Sequence, residues 1–378
     1  MADIKKVQSK PSCCSVEKGD DIGECSCTQS PSGEPITDSW IVGQIFTSIG
    51  PIPQIKTSLS WTDRIGSWKS RWDIGRMDYK VAPGLYGVGR PDKTSPVLVS
   101  ANYKMSFDRL RQELEGLNLW ILVIDTKGIN VWCAAGKGTF GTRELINRIA
   151  QVRLGEIVTH RQVIVPQLGA PGICAHEVHK TAGFRVFYGP VRASDIPEYL
   201  SSGMKATVQM REVHFGLMER LVLTPIELVG SFKPAAVILG LLAFINIIFH
   251  GSLSVYQFLG RTMLDFLPFA GVVFTGAVFV PLLLPVIPGR ALAVKGWLLG
   301  LVWAGIYLKF MAPAGNGFHI ATYLLLLPPL VSFLAMNFTG STTYTSLSGV
   351  VKEMKIAIPA QIISAGLGVM CMVGGLFV

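Results

Sequence analysis

Charged residues are scarce in this chain of 378 residues. They make up 16% of the sequence, whereas a soluble domain usually carries about a quarter, and 49% of the residues are hydrophobic. The charges are also unevenly placed, because nearly all of the 34 Lys and Arg and the 25 Asp and Glu residues precede Pro234. The last third of the chain therefore has the composition of a membrane-embedded segment.

Cysteine usage is ordinary, with no dense cluster of the kind that a disulfide-rich chain has. Seven cysteines in a chain of this length exclude a disulfide scaffold. Residues 1–37 contain no apolar stretch of the kind that a signal peptide needs, so we expect the soluble part to remain in the cytoplasm, where thiols stay reduced. The net charge of +9 suits a protein beside an anionic membrane face, and no nucleic-acid partner is expected.

Residues 1–37 are predicted to be a disordered tail, since they are rich in Ser, Pro, Gly, Asp and Lys and lack an apolar period. The tail contains four of the seven cysteines, Cys13, Cys14, Cys25 and Cys27. Their spacing does not match the runs of cysteine that bind iron–sulfur clusters. Two interpretations remain: a site for a soft metal, because thiolates suit soft metals, or cysteines without a role.

Residues 38–224 are predicted to form a mixed α/β domain. Apolar runs typical of buried strands alternate with amphipathic segments, which favours a parallel, doubly wound sheet covered by helices on both faces. The predicted strands are 96–101, 119–125, 163–165 and 185–188. The predicted helices are 107–116, with Ser106 as its N-cap, 143–150 and 194–200.

Five apolar runs follow the α/β region. A membrane-spanning helix needs about 20 mostly apolar residues, and five such runs in succession exceed what a soluble core contains. We therefore expect a linker at 225–233 and an all-α transmembrane bundle of five helices at 234–378. The runs are 235–249, 266–287, 291–308, 320–336 and 356–378, of which the first is short.

Loop charges predict the orientation of these helices. With a cytoplasmic head, the inner loops carry four positive side chains and the outer loops two (Arg290, Lys295, Lys352 and Lys355 against Arg261 and Lys309). Five spans then place the C-terminus outside the cytoplasmic membrane. Few charges fall inside the spans, unlike the case in ion transporters. An anchor or a passive conduit in contact with membrane lipid is therefore favoured over a pump.

The most informative segment is Asn130–Lys137, with the sequence NVWCAAGK. It follows the clearest predicted strand, at the carboxyl edge where open α/β sheets bind ligands. Cys133 lies near the exit of this strand, the small residues after it admit a large flat ligand, and a nearby lysine favours the thiolate. The alternative is that Cys133 is an ordinary buried cysteine, which packs as a small apolar side chain.

Two nucleotide-binding motifs compete for the same residues. A Walker A loop would need glycine in place of Val131 and Ser or Thr in place of Gly138. Gly136, Gly138 and Gly141 match the spacing of a dinucleotide fingerprint, but its first glycine should follow the strand directly. Glu156 lies at the right distance, yet it precedes a strand and does not end one. Both motifs are therefore disfavoured.

The segment NVWCAAGK resembles the cap-helix signature of the membrane-bound corrinoid proteins of microbial mercury methylation. A related signature occurs in the large subunit of the corrinoid iron–sulfur protein of the acetyl-CoA pathway. Further segments that carry the resemblance are 82–86 (APGLY), 95–99 (SPVLV), 101–104 (ANYK), 188–191 (YGPV) and 337–340 (NFTG). Cys133 together with five predicted spans fits the mercury-methylating proteins.

The resemblance implies a Rossmann-like head that binds a corrinoid with its nucleotide base displaced. Cys133 would be the catalytic residue and the lower axial ligand of cobalt. A thiolate donates more charge than imidazole or water does, so it would give the methyl group carbanion character that the electrophile Hg(II) accepts. The segment 179–183 (HKTAG) does not match the D-x-H-x-x-G pattern that supplies histidine to cobalt in other corrinoid proteins, which favours ligation by cysteine.

The same resemblance assigns further cofactor-binding residues. Those of the cap helix, besides Cys133, are Asn130, Val131, Trp132, Ala134, Ala135, Gly136 and Lys137. Ser100 corresponds to a small hydroxyl residue near the axial site, with an ordinary strand-end serine as the alternative. Gly169, Ala170 and His176 are expected to face the corrinoid from another loop. A metal site of Cys174, His176 and His179 is the rival interpretation, and it lacks a fourth ligand.

The implied function is transfer of a methyl group from cobalt to Hg(II), which forms methylmercury. Because methyl leaves as an anion, two electrons must then be resupplied, and the implied reductant is a ferredoxin-like protein with two [4Fe–4S] clusters. The implied methyl donor is a methyltransferase that uses a folate-type carrier. Two alternatives remain: a corrinoid methyl carrier of the acetyl-CoA pathway, and a transporter with a regulatory head.

Overall fold

The computed structural model describes residues 38–250, 254–311, 316–340 and 347–375. The predicted tail and its four cysteines lie outside the described residues. From Ser39 onward the chain forms one unit, in which an α/β part precedes a helical part.

The α/β part is built around a mixed sheet of seven strands in the order β1-β2-β3-β5-β4-β6-β7, as far as the chain is described. The strands are β1 (Ile41–Thr47), β2 (Gly50–Ile55), β3 (Gly84–Val88), β4 (Val97–Ala101), β5 (Leu119–Ile124), β6 (Gln162–Val165) and β7 (Arg185–Tyr188). Strands β4 to β7 are mutually parallel, whereas β1 runs antiparallel to β2 and β3 runs antiparallel to β5.

The prediction of an all-parallel sheet is therefore wrong for one half of the sheet. The four predicted strands form its parallel half, but β1 to β3 were missed. Their residues include Pro51 and Pro53 in β2 and two glycines in β3, so they contain no continuous apolar run. Pro within a sheet is normally confined to edge strands and bulges. Strand β2 is not an edge strand but lies next to the edge strand β1, so its two prolines argue against a strand.

Short helices connect and cover the strands. They are α1 (Trp61–Arg71), α2 (Lys104–Gln112), α3 (Val131–Lys137), α4 (Thr142–Gln151), α5 (Leu154–Ile157), α6 (Ala175–Ala182), α7 (Ile196–Ser201), α8 (Val208–Arg211) and α9 (Leu217–Leu221). A 3₁₀ helix at Gln167–Gly172 precedes α6, and a second at Ala193–Asp195 precedes α7.

Helices cover both faces of the sheet, as predicted. Successive side chains of a strand point to opposite faces, and those of β5 do so here. Leu119 and Ile121 enter a core that includes α2 and α7, whereas Trp120 and Leu122 enter a second core that includes α4 and α6.

Helix α2 begins earlier than its sequence predicts. Ser106 was expected to be the N-cap, but the helix starts at Lys104 after Tyr103, which makes no side-chain capping bond. The Lys104 ammonium is buried and pairs with Asp63 and with Asp108 one turn further along α2. We conclude that these ion pairs, and not a cap, hold the first turn.

The helical part contains the five predicted apolar helices. Within the described ranges, five helices are long and apolar enough to cross a membrane. Their elements are α10 (Thr224–His250), α11 (Val255–Phe274), a π-helical turn (Thr275–Phe279), α12 (Val280–Leu283), α13 (Leu292–Phe310), α14 (Gly317–Met336) and α15 (Leu347–Gly374). The predicted linker, 225–233, lies inside α10, which gives the short first run the length that it lacked.

Polar side chains join the helices of this bundle. The Ser332 hydroxyl donates to the Ala293 carbonyl over 2.8 Å, and the Gln361 amide donates to the Ser332 oxygen over 2.7 Å. These two bonds link α13, α14 and α15. Lys295, predicted as a loop charge, is buried and donates to the carbonyls of Leu284 and Ile287, so it caps the end of the preceding helix.

Candidate functional site

A cavity of about 920 Å³ lies at the carboxyl ends of the parallel strands. Ser100 of β4, Pro166 after β6 and Gly189 after β7 line it. The chain leaves β4 toward α2 on one face of the sheet and leaves β6 toward α6 on the other. Two neighbouring parallel strands with connections on opposite faces leave a crevice between their ends, which is where open α/β sheets bind ligands. The volume lies near the top of the range for ligand sites, roughly 300–1,000 Å³.

The segment NVWCAAGK forms helix α3 at this edge. The Asn130 side chain caps the helix by accepting a hydrogen bond from the Cys133 backbone N–H over 2.9 Å. The helix ends at Gly138, whose φ of 78° is a left-handed conformation that favours glycine. The signature thus specifies a short helix with defined ends, directly after β5 and its turn.

The residues of α3 divide between the cavity and the core. Asn130, Val131 and Trp132 line the cavity. Cys133 is the next residue and is a free, half-buried thiol, but the lining stops short of it. The side chains of Ala134 and Ala135 are buried in the core, and Gly136 and Lys137 are exposed.

Ser100 is brought to the same cavity. It is buried at the end of β4 and lines the cavity beside α3. Its hydroxyl makes one long hydrogen bond, 3.3 Å, to the Ala101 carbonyl. The geometry thus gives Ser100 and the first turn of α3 a common surface, although their positions are 30 or more residues apart in the sequence.

The other predicted loop residues are placed differently. The 3₁₀ helix that contains Gly169 and Ala170 packs against α3. Gly169 is buried, and a Cβ there would lie 2.4 Å from a ring carbon of Phe140, so close packing on Phe140 requires this glycine. His176 is exposed on α6. None of Gly169, Ala170 and His176 lines the cavity, whereas Leu168 of the same segment does.

The rival metal site receives no support from the described part of the chain. Cys174, His176 and His179 are all exposed, and no group of three or more His, Cys, Asp or Glu side chains is arranged there to hold a metal ion.

A buried network of charges, which was not predicted from the sequence, forms another wall of the cavity. Asp63 of α1 accepts from Lys104 over 2.9 Å and from Arg111 over 2.8 Å. Asp108 accepts from the same two cations, over 2.5 Å and 2.8 Å. All four side chains are less than a tenth exposed. Asp63 and Asp108 also line the cavity.

The network perturbs its titratable groups in opposite directions. Burial alone would raise the pKa of Asp63, but hydrogen bonds from Lys104 and Ser60 outweigh it and hold this pKa far below the usual carboxyl range. The Tyr79 hydroxyl donates to the Asp108 carboxylate over 3.2 Å. Burial and this carboxylate raise the pKa of Tyr79 well above that of a free phenol. Both groups therefore keep a fixed protonation state at neutral pH.

Helix α9 closes a further side of the cavity and connects it to the helical part. Glu219 lines the cavity and accepts from Arg192 over 2.9 Å. Arg220, the next residue, is buried and donates to the Leu282 carbonyl in α12 over 2.7 Å. The cavity wall is thus bonded on one side to the α/β part and on the other to the end of an apolar helix.

Comparison with known proteins identifies relatives of the α/β part. Residues 74–200 match the family described as CO dehydrogenase/acetyl-CoA synthase delta subunit. The chain is 32% identical over 127 residues to the acetyl-CoA decarbonylase/synthase complex subunit gamma of Methanopyrus kandleri, which is 33% of this chain and 27% of that protein. It is 24% identical over 141 residues to the corrinoid/iron-sulfur protein large subunit of Moorella thermoacetica, 36% of this chain and 31% of that protein.

The similarity is confined to part of each protein. The chain spans about a quarter to a third of the length of these relatives. The family match includes β4, α2, α3 and the 3₁₀ helix at Gln167–Gly172, but it excludes α1, α9 and the apolar helices. The similarity to proteins of the acetyl-CoA pathway that was expected from the sequence is confirmed for this region.

Proposed function

We propose that this chain is a corrinoid-dependent methyltransferase that transfers a methyl group to Hg(II) and forms methylmercury. The observation that carries the proposal is the position of Cys133. It is a free thiol in the first turn of a capped helix, at the carboxyl edge of the parallel strands and next to a cavity of cofactor size. This region is similar to the large subunit of a corrinoid/iron-sulfur protein.

The residues at this edge fit a corrinoid. The cavity has the volume for a large ligand, and most of its lining is apolar, as a flat macrocycle requires. Asn130, Val131, Trp132 and Ser100 would hold the group from the cavity side. The bound corrinoid, in the base-off form with cobalt ligated by Cys133, would supply a methyl group with carbanion character to Hg(II).

The residues of the chain prepare this site. The Asn130 cap fixes the backbone at Cys133 and leaves the thiol free of that bond. Val131 and Trp132 line the cavity and would exclude water from the reacting groups when the cofactor is bound. Gly169 and Ala170 would support α3 from its other side, and Ala134 to Lys137 would complete the cap. His176 stays a proposed contact from α6.

A methyl carrier of the acetyl-CoA pathway is the second candidate, because the matched relatives include subunits of the acetyl-CoA decarbonylase/synthase complex. Two features favour methylation of mercury: Cys133 in the cap helix, and five apolar helices that lie outside the matched region.

We further propose a methyltransferase with a folate-type carrier as the methyl donor. The proposed reductant is a ferredoxin-like protein with two [4Fe–4S] clusters, since loss of a methyl anion removes two electrons.

The function is tested with the full chain purified in detergent, reconstituted with methylcobalamin and given HgCl₂. We expect a visible spectrum of bound corrinoid and methylmercury in an amount that depends on the protein. Bound corrinoid with no methylmercury above the protein-free control would favour the carrier. If no corrinoid is retained, both candidates are rejected.

We also propose that the α/β part lies in the cytoplasm and that the five apolar helices cross the cytoplasmic membrane. Arg290, Lys352 and Lys355 lie on the proposed inner side, and Arg261 and Lys309 on the outer side, which is a small excess inside. A phosphatase reporter fused after Val378 is therefore expected to be active only outside the cytoplasm. The same reporter fused after Arg211 should be inactive, because it stays in the cytoplasm. An inactive fusion after Val378 would show that one helix does not cross.

A further inference from the structure

We propose that a groove between α13 and α15 binds the headgroup of an anionic phospholipid. The proposal rests on the proposed membrane insertion of the five helices and is independent of the corrinoid chemistry. It assigns a specific ligand to a surface of the helical part, for which only a role as a membrane anchor was expected.

The groove has a volume of about 800 Å³, and both charged side chains, here called its rim, and apolar side chains, here called its floor, line it. Trp297 and Leu298 of α13 and Ile356 and Ala357 of α15 line the floor. Helix α14 packs against both α13 and α15 and therefore forms the back wall of the groove. Ile356 is 76% exposed, so the open side of the groove faces the surroundings of the bundle, where lipid chains would lie.

The rim is positively charged. Arg290, just before α13, and Lys352 of α15 line it and are exposed. Neither forms an ion pair with any side chain of the described ranges. The third charge, Glu353, accepts a hydrogen bond from the Ala293 backbone N–H over 2.5 Å. Its carboxylate is therefore turned toward the first turn of α13 and stabilises that helix end.

This combination matches an anionic lipid better than a free anion. A phosphate between Arg290 and Lys352 would satisfy both cations, as basic pockets between membrane helices do for lipid headgroups. The apolar floor of the same groove would then contact the glycerol and the start of an acyl chain. An indole such as Trp297 is well suited to this boundary, because tryptophan is enriched at membrane–water interfaces. The proposed inner side is also the leaflet that carries most anionic lipid.

The test is native mass spectrometry of the full chain, released from detergent after equilibration with phosphatidylglycerol or with phosphatidylcholine of the same acyl chains. We expect retained phosphatidylglycerol and little phosphatidylcholine. The double variant Arg290→Gln, Lys352→Gln should lower phosphatidylglycerol retention roughly tenfold or more, since both cations that attract the anionic headgroup are removed. The control Arg261→Gln, Lys309→Gln, which removes the same charge from exposed positions elsewhere in the bundle, should retain the lipid.

Three results would overturn the site: equal retention of the two lipids, equal loss in both double variants, or displacement of the lipid by excess inorganic phosphate, which would show a free-anion site. Failure of the underlying membrane proposal is separately visible, since the Val378 reporter would then report the wrong side. Equal thermal unfolding of the two double variants in detergent would show that lost lipid does not reflect a lost fold.

Discussion

Replacement of Cys133 with alanine is expected to stop methylmercury formation while the chain stays folded and still binds corrinoid. Cys133 is half-buried, and its hydrogen bond to the Asn130 side chain uses its backbone N–H, which alanine retains. The change thus removes the thiol and little else. Loss of groups that merely orient a metal ligand costs about 10- to 100-fold, so loss of the ligand should lower product per bound corrinoid by at least about 100-fold.

Two further variants sharpen this test. Cys174→Ala is the matched control, because Cys174 is also a free thiol whose backbone N–H is bonded, here to Thr142, and it should leave the rate unchanged. Cys133→His offers a neutral ligand that donates less charge, so it should alter the visible spectrum without restoring the product. Near-normal turnover of Cys133→Ala would exclude ligation by Cys133 as the basis of the reaction.

The local sequence accounts well for the part of the site that depends on neighbouring residues. Asn130 and Gly138 define the ends of α3, and the apolar run 119–124 defines the strand before it. These features are decided within about ten residues, so they could be predicted. Strand β2 could not, because Pro51 and Pro53 occupy a strand whose place is fixed by pairing with β1 and β3.

The walls of the cavity depend on contacts between distant residues. Asp63 and Lys104 are 41 positions apart, and Arg220 bonds to a carbonyl 62 positions later. In the sequence, Lys104, Asp108 and Arg111 resemble the solvated face of an amphipathic helix. Their spacing of four and three residues did place them on one side of α2, but only the fold shows that α1 covers them.

The bond between Arg220 and α12 joins the α/β part to the helical part. A cofactor-binding head and a separate membrane anchor were expected. Helix α9, which lines the cavity through Glu219, is bonded through Arg220 to the Leu282 carbonyl of α12. We propose that the helical part supports the site through this bond, so the full chain is used for every binding measurement.

Replacement of Lys104 with methionine is expected to lower the free energy of unfolding of the α/β part by about 3–5 kcal/mol, the usual cost of removing one partner from a buried ion pair. Methionine fills similar space, but it leaves Asp63 and Asp108 with Arg111 as their remaining buried cation. The measurement is the urea dependence of pulse proteolysis within this part of the full chain in detergent. Arg109→Met on the same helix is the control, since Arg109 is 69% exposed and its pair with Glu113 spans 3.7 Å; exposed pairs contribute about 0–1 kcal/mol.

The pH dependence of the same variants separates the charge network from simple packing. The pKa of Asp63 is lower in the folded chain than the ordinary value of about 3.9 for an unfolded chain. Its contribution to stability is therefore complete above that value and is lost as the pH falls toward the folded pKa, because the unfolded state takes up the proton first. Wild-type stability should decline below about pH 4.5, and the decline should be shallower in Lys104→Met, where the pKa of Asp63 is less depressed. Parallel pH profiles for the two proteins would mean that Lys104 supports α2 through its methylene stem and that its charge does not stabilise Asp63.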